Sequence, residues 1–354
     1  MSALKSTENP GFDTVLDFNI FEHHDDEEDL FYKNKLVAIV EGEVTPKQAA
    51  IEIDTFITHD SERLYKLHRA YHFSPEDLPD EIRGQLPLPA DSNERELGIH
   101  CPNPGGHIEM FMHWVFRLGS AFPPGHVGQD RLIAFLEALR DLPRHEIVTI
   151  ASPSVASPSD DQVEQNMYTT LEVWPIGGHW LLLQMVAHYE AQAYLYRLYA
   201  ATRLPPTEID LRLRNFQSAI ARMTALDLID CGWLSSLEGI LPLHPWYPDL
   251  NDPEGQGFGQ DQGFRWLAGW IIAGVQWLLR AEVGQYVYQQ CQKREKIVER
   301  PEMWSMQRWQ QWKDQFAFAA NEVWVGVHAQ ELARLALQKM IEYEGGGATA
   351  GGDL

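Results

Sequence analysis

The sequence predicts an all-α protein, a single irregular domain of about ten helices, and three observations lead to this prediction. Apolar residues recur at three- and four-residue spacing through most of the 354 residues. Helix-capping signatures stand at "TPKQ" (45–48) and "TEID" (207–210). No run of alternating apolar and polar residues is long enough to indicate a sheet. We therefore expect one domain over 30–343, an acidic and largely disordered segment at 1–29, and a flexible glycine-rich tail at 344–354.

The start of the domain predicts two short helices joined by a tight turn. The stretch "DLFYKNKLVAIVEG" (29–42) has helical spacing, and Gly42 is suited to end that helix. Thr45 is then a natural N-cap, Pro46 fits the first helical position, and Gln48 completes a capping box. One face of the second helix collects its apolar residues, Ala49, Ile53, Phe56 and Ile57.

The remaining elements follow from the same spacing and from loop composition. Further helices are predicted at 60–73, 107–122, 128–143, 178–203, 207–227 and 231–241, and two long helical segments at 264–297 and 303–343. Segments rich in Pro, Gly, Ser and Asp predict mobile loops at 74–106, 144–170 and 242–263.

The charge of the chain limits the classes of partner. Its formal net charge is −23, so its field repels phosphate backbones and anionic membrane surfaces, whereas a basic protein or a neutral ligand remains compatible. The longest nearly apolar run, 266–279, is shorter than the ~20 residues of a membrane span. Three widely spaced cysteines suit a reducing compartment. We expect a cytoplasmic protein that binds neither nucleic acid nor a membrane.

Residues 304–324 contain four tryptophans and two phenylalanines, and these rings have two interpretations. Trp309, Trp312 and Phe316 follow the spacing of one helix face, while Trp270 and Trp277 line a face of the preceding helical segment. In the first interpretation the two stripes pack against each other as core. In the second, these five residues line a pocket for an apolar small molecule, because buried indole N–H groups need partners and several indoles together suit such a ligand.

Several of these stretches also resemble a known family. "SMQRWQQWKDQF" (305–316), "ARLALQKM" (333–340), "GWIIAGVQWL" (269–278), "NFQSAIARMT" (215–224) and "GQDRLIAFLEALRDLP" (128–143) look like motifs of a fungal family known only as domain of unknown function 3632. The resemblance implies an all-α fungal protein, of a kind sometimes associated with secondary-metabolite gene clusters. It implies no known reaction and no catalytic residue.

Possible metal and cofactor sites are few. "EHHDDEED" (22–29) is an acidic run whose ligands do not converge, so we interpret it as a solvated segment rather than a cation site. His100, Cys101, His107 and His113 lie close in sequence, but the Pro-Cys-x-x-Cys half of a zinc deaminase signature is missing. No phosphate loop, dinucleotide fingerprint or nucleophile elbow is present. We predict neither a metal nor a cofactor.

Three residues are catalytic candidates. Glu238 is predicted to share a helix face with leucines and so to be partly buried, with Arg222 as its partner. Either this is a structural ion pair, or Glu238 is a general acid or base in an apolar cavity. His244 stands in "HPWYP" (244–248), a turn that either closes over a pocket or fixes a long loop to the helices.

Two functions are consistent with these observations. One is an accessory protein of fungal secondary metabolism that binds an apolar intermediate among the tryptophans and could guide a cofactor-free, isomerase- or cyclase-like rearrangement of it. The other is a non-enzymatic scaffold for protein–protein interaction, whose acidic surface contacts a basic partner. The volume around Trp270, Trp277, Trp309 and Trp312 distinguishes them, because a closed core leaves no room for a ligand. The sequence leaves the oligomeric state open.

Overall fold

The computed structural model describes residues 13–18, 27–73, 101–151, 167–173, 181–199, 206–242, 244, 247, 260–294 and 303–346. Within them the prediction of an all-α protein is confirmed, with one small sheet added. The helices are α1 (Glu27–Glu41), α2 (Pro46–Phe73), α3 (Pro104–Ala121), α4 (Val127–Arg140), α5 (Leu181–Tyr199), α6 (Pro206–Ala225), α7 (Gln260–Gly274), α8 (Gln276–Leu279), α9 (Ala281–Arg294), α10 (Met306–Ala319) and α11 (Val327–Gly346). The strands are β1 (Glu146–Ile150) and β2 (Tyr168–Glu172).

The chain divides into two compact units. The smaller unit comprises 25–114 and 134–187, and the larger unit comprises 1–24, 115–133 and 188–354. The predicted single domain over 30–343 stays a prediction.

In the smaller unit, α1 and α2 form a helical hairpin whose turn follows the sequence signals. Gly42 has a φ of +85°, in the left-handed region that favours glycine, and α1 ends at the residue before it. Thr45 caps α2, since its Oγ1 accepts a hydrogen bond from the Gln48 amide at 3.2 Å. The Gln48 side chain does not close the predicted capping box. It donates instead to Glu52 Oε1 at 2.8 Å.

The second helix is longer than predicted. Residues 60–73 were expected as a separate helix, but α2 runs unbroken through 28 residues. No glycine or proline follows Pro46 within it, and Ile57, Ser61 and Leu64 carry the buried stripe across the expected boundary. The helical spacing was therefore correct and the boundary was wrong.

The small sheet corrects the expectation of a loop over 144–170. Strands β1 and β2 pair antiparallel, with Ile147 opposite Leu171 and Thr149 opposite Thr169, and β1 packs on α2. Each strand has only five residues, too few for alternation to stand out in the sequence. Similarly, α3 begins at Pro104 inside the predicted loop 74–106, and α7 begins at Gln260 inside the predicted loop 242–263.

In the larger unit, α6 is a central helix, buried at every position from Leu211 to Thr224. It packs against α7, α8 and α9, and α11 packs against α7, α8, α9 and α10. The long segment expected at 264–297 breaks into three helices, because the chain turns after Gly274 and Arg280 is extended. The segment at 303–343 breaks at a 3-10 turn, Val323–Val325, followed by Gly326 with a φ of +86°.

The predicted helix at 231–241 is not an α-helix. It consists of a 3-10 turn, Gly232–Leu234, followed by extended Ser235 and further turns. The Ser235 hydroxyl accepts a hydrogen bond from the Leu237 amide, so a side chain takes a backbone donor that an α-helix needs.

Candidate functional site

The five rings proposed as a ligand wall are buried within the larger unit. Their exposed fractions are at most 3%: Trp270, Trp277, Trp309, Trp312 and Phe316. Trp304 connects the two stripes, with ring centroids 5.9 Å from Trp277 and 6.0 Å from Trp312. A ligand platform needs exposed ring faces, and these rings contact protein instead. The geometry supports the interpretation as core, and the ligand-binding role stays a prediction.

Two of the indole N–H groups in this core have hydrogen-bond partners of their own. Trp277 Nε1 donates to Gln217 Oε1 at 2.7 Å, and Trp309 Nε1 donates to Glu344 Oε1 at 2.9 Å. Trp312 Nε1 has no hydrogen-bond partner within the part of the chain that the structure describes. A core dense in tryptophan is therefore feasible here, because acceptors on α6 and α11 satisfy two of the buried donors.

The predicted pairing of Arg222 with Glu238 is wrong. Arg222 Nη2 lies 2.8 Å from Asp130 Oδ1, and Glu238 Oε2 lies 3.3 Å from Arg308 Nη2. The pairing assumes that 231–241 is an α-helix. Because these residues form turns instead, the Glu238 side chain has a different direction from the one that an α-helix gives it. Arg222 and Glu238 thus belong to separate ion pairs. Such pairs favour the structural interpretation of these residues over the catalytic one.

Burial shifts the ionisation of both candidates. It lowers the pKa of Arg222, as does nearby Arg280, while Asp130 opposes the shift. It raises the pKa of Glu238, against a smaller lowering by Arg308. A raised carboxyl pKa is compatible with acid–base chemistry, but the described residues place no second titratable group within hydrogen-bonding distance of Glu238 except Arg308. The catalytic role of Glu238 and Arg222 stays a prediction.

Glu238→Gln is expected to change the pH dependence of stability. A carboxyl whose pKa is raised on folding stabilises the native state below its unfolded pKa, near 4.3, and this contribution is lost as pH rises through the folded pKa. The variant should therefore gain in stability relative to the wild type as pH rises from 4 towards 7. Urea denaturation at a series of pH values tests this. A variant that becomes relatively less stable as pH rises would show that the Arg308 pair dominates.

His244 lies in the loop that the sequence marked as a lid or an anchor. Its ring meets Trp270 edge-on, with centroids 4.7 Å apart, and burial lowers its pKa. Tyr247 in the same loop donates its hydroxyl hydrogen bond to Gln315 Oε1 at 3.0 Å. His244 and Tyr247 are thus each held against a helix, as the anchor interpretation predicts. A catalytic role for His244 stays a prediction.

The structure assembles no metal site within the ranges it describes, where no three His, Cys, Asp or Glu side chains converge. Most of the acidic run 22–29 and His100 lie outside those ranges. Burial raises the pKa of Cys101, which disfavours the thiolate that binds metals. His107 is buried in a different constellation.

His107 is the centre of a hydrogen-bonded chain in the smaller unit that the sequence did not reveal. Its Nδ1 lies 3.0 Å from the Tyr32 hydroxyl, and its Nε2 lies 3.2 Å from Asp60 Oδ2. Arg63 donates from Nε and Nη2 to the other oxygen of Asp60, at 3.0 and 2.6 Å. The partners of His107 stand 75 and 47 positions away in the sequence, so no local spacing connects them.

Asp60 and Arg63 border a groove between α1 and α2, which we call the hairpin groove. It has a volume of about 650 Å³ and is lined by Phe31, Lys35, Gln48, Ile51, Glu52, Thr55, Phe56, His59, Asp60 and Arg63. Phe31 and Phe56 stack in it, with centroids 4.2 Å apart and ring planes 21° apart. The sequence assigned Phe56 to the buried face, but its side chain is only partly buried.

No protein-family model, curated protein or solved structure matches the chain. The resemblance to the fungal family, with its association with secondary metabolism, therefore stays a prediction. None of the described helices is long and apolar enough to span a membrane.

Proposed function

We propose that this protein is a non-enzymatic helical module that binds another protein. The observation that carries the proposal is the closed aromatic core, since the rings suited to hold a small molecule expose at most 3% of their surface. The candidate catalytic side chains support it further, because Arg222 pairs with Asp130, Glu238 lies next to Arg308, and the His244 ring packs on Trp270.

The charge of the chain is unevenly distributed along the sequence. The described residues contain 30 acidic and 22 basic side chains, a net charge of −8, so −15 of the total −23 belongs to the other residues. The helices therefore present both signs of charge. Because both signs are present, the described surface is available for contacts other than the attraction of a basic partner.

Native mass spectrometry of the full-length protein, gently purified from its natural source, tests the proposal. We expect a complex with a second polypeptide, and a mass equal to the bare chain after that partner dissociates. The alternative function, capture of an apolar intermediate, predicts a reproducible added mass of small-molecule size that denaturation removes. That result would overturn the proposal and return the tryptophans to the role of a pocket wall.

A further inference from the structure

We propose that the hairpin groove binds an amphipathic helix of a partner protein, with acidic residues on the flank that faces Arg63. This inference rests on the proposed function and specifies its surface. The groove borders α2 from Gln48 to Arg63, which at 1.5 Å per residue is about 22 Å, or four turns of a helix. A helix laid between two helices of a hairpin is a recurrent mode of peptide recognition.

The floor of the groove supplies apolar contact. Ile51 is 41% exposed although it is aliphatic, and it lies between the stacked pair Phe31–Phe56 and the start of α2. Leucine-type side chains spaced one turn apart would cover these three residues and remove them from water. At about 25 cal/mol per Å² of apolar surface, such burial is the main attraction available to the groove.

The charged residues that line the groove determine whether it favours an acidic or a basic helix. Both acids of the groove already accept hydrogen bonds, Glu52 from Lys35 and Gln48, and Asp60 from Arg63 and His107. The bond from Lys35, followed by that from Gln48, lowers the pKa of Glu52. Each acid already has a cation beside it, Lys35 for Glu52 and Arg63 for Asp60, and this weakens its attraction for a further cation.

Arg63 is the more exposed of the two Lys and Arg side chains that line the groove, since the Lys35 side chain is only 22% exposed. The Arg63 side chain is 59% exposed, whereas that of Asp60 is 11% exposed. A guanidinium has five N–H donors, and the two hydrogen bonds to Asp60 orient it without using the others. Asp60 is itself held by His107 and, through it, by Tyr32. The buried chain thus positions Arg63 at the groove, where it matches a carboxylate.

A pair of synthetic peptides tests the inference on the full-length protein. Both are amphipathic helices of about four turns with leucines on one face, one carrying glutamates on its flanks and the other lysines at the same positions. We expect the glutamate peptide to bind at least about tenfold more tightly, with an affinity that falls as salt is added. Equal binding of both peptides, or of neither, would overturn the proposal.

Two substitutions identify the surface. Ile51→Glu should weaken the affinity for the glutamate peptide by at least about tenfold. Ile341→Glu, at a comparably exposed isoleucine of α11, should leave that affinity unchanged. The Arg63→Gln variant should still bind both peptides through apolar contacts, but it should no longer bind the glutamate peptide more tightly than the lysine peptide. Unaltered binding by Ile51→Glu would overturn the proposal.

The same variants separate this inference from the proposed function. If Ile51→Glu retains a natural partner that the wild type carries in native mass spectra, the protein is an interaction module that uses another surface. If the wild type carries no protein partner at all, the proposed function itself fails.

Discussion

Replacing Trp277 with alanine is expected to lower the free energy of unfolding by about 3–5 kcal/mol. The Trp277 side chain is fully buried in the larger unit, where its ring contacts Trp304 and its Nε1 bonds Gln217. Alanine removes the whole ring, and the helices around it cannot collapse fully into the space, so a cavity adds to the lost transfer energy. Urea denaturation followed by far-ultraviolet circular dichroism measures the change.

Trp233→Ala is the matched control for this prediction. Trp233 is 44% exposed, so its removal should lower the free energy of unfolding by a smaller amount, about 1–2 kcal/mol. If both substitutions lower the free energy of unfolding by the same small amount, the Trp277 ring is not part of a packed core. Its ring would then border space that the folded chain does not need to fill, as a ligand platform requires.

The comparison between the two variants tests the proposed function as well as the packing. A pocket wall is selected for its ligand, so truncating it costs stability mainly when the ligand is bound. A packed core loses stability in the bare protein. A loss of several kcal/mol in ligand-free protein would therefore support the interaction module over the small-molecule accessory protein.

Local signals predicted the local structure well. Gly42 and Thr45 mark the turn of the α1–α2 hairpin. The helix predicted at 128–143 is observed as α4, Val127–Arg140, with Asp130 in its first turn. Each of these features depends on neighbours within one helical turn. The sequence carries that information directly, and the predictions agree with the structure to within a few residues.

Features that depend on distant partners were not predictable in the same way. The segment 231–241 has helical spacing, yet Gln217 Oε1, on α6, accepts a hydrogen bond from the Ser236 amide at 2.9 Å. The pairing of Arg222 with Glu238 failed for the same reason, because each residue found a partner on another element. Tertiary hydrogen bonds decide such cases, and single-sequence spacing does not encode them.

The hairpin groove was missed because its chemistry is divided among remote positions. Phe56 fits the buried stripe of α2 by spacing, and only its stacking on Phe31 of α1 shows that it borders a groove. In the sequence His107 stands near other possible zinc ligands, and no local pattern indicates a different role for it. The available signal is its position on the apolar face of an amphipathic helix, which calls for polar partners but does not identify Tyr32 or Asp60.

Gln217→Leu is expected to destabilise the larger unit by on the order of 3–6 kcal/mol, because leucine of similar size leaves three polar groups without a partner. The Gln217 amide donates to Leu234 O at 2.9 Å and accepts from the Ser236 amide and from Trp277 Nε1. Gln338→Leu is the control, since Gln338 is exposed on α11 and bonds only Glu342 among the described contacts, so its loss should cost less than about 0.5 kcal/mol.

A double-mutant cycle shows whether Gln217 acts through Trp277. Phenylalanine at position 277 removes the indole donor while retaining a ring, so Gln217→Leu should cost less in the Trp277→Phe background than in the wild type, by about 0.5–3 kcal/mol. Strictly additive losses would mean that the bond from Trp277 contributes nothing to stability. Coupling would show that the buried Gln217 amide joins the aromatic core to α6 through Trp277, in addition to the bonds that it makes to Leu234 and Ser236.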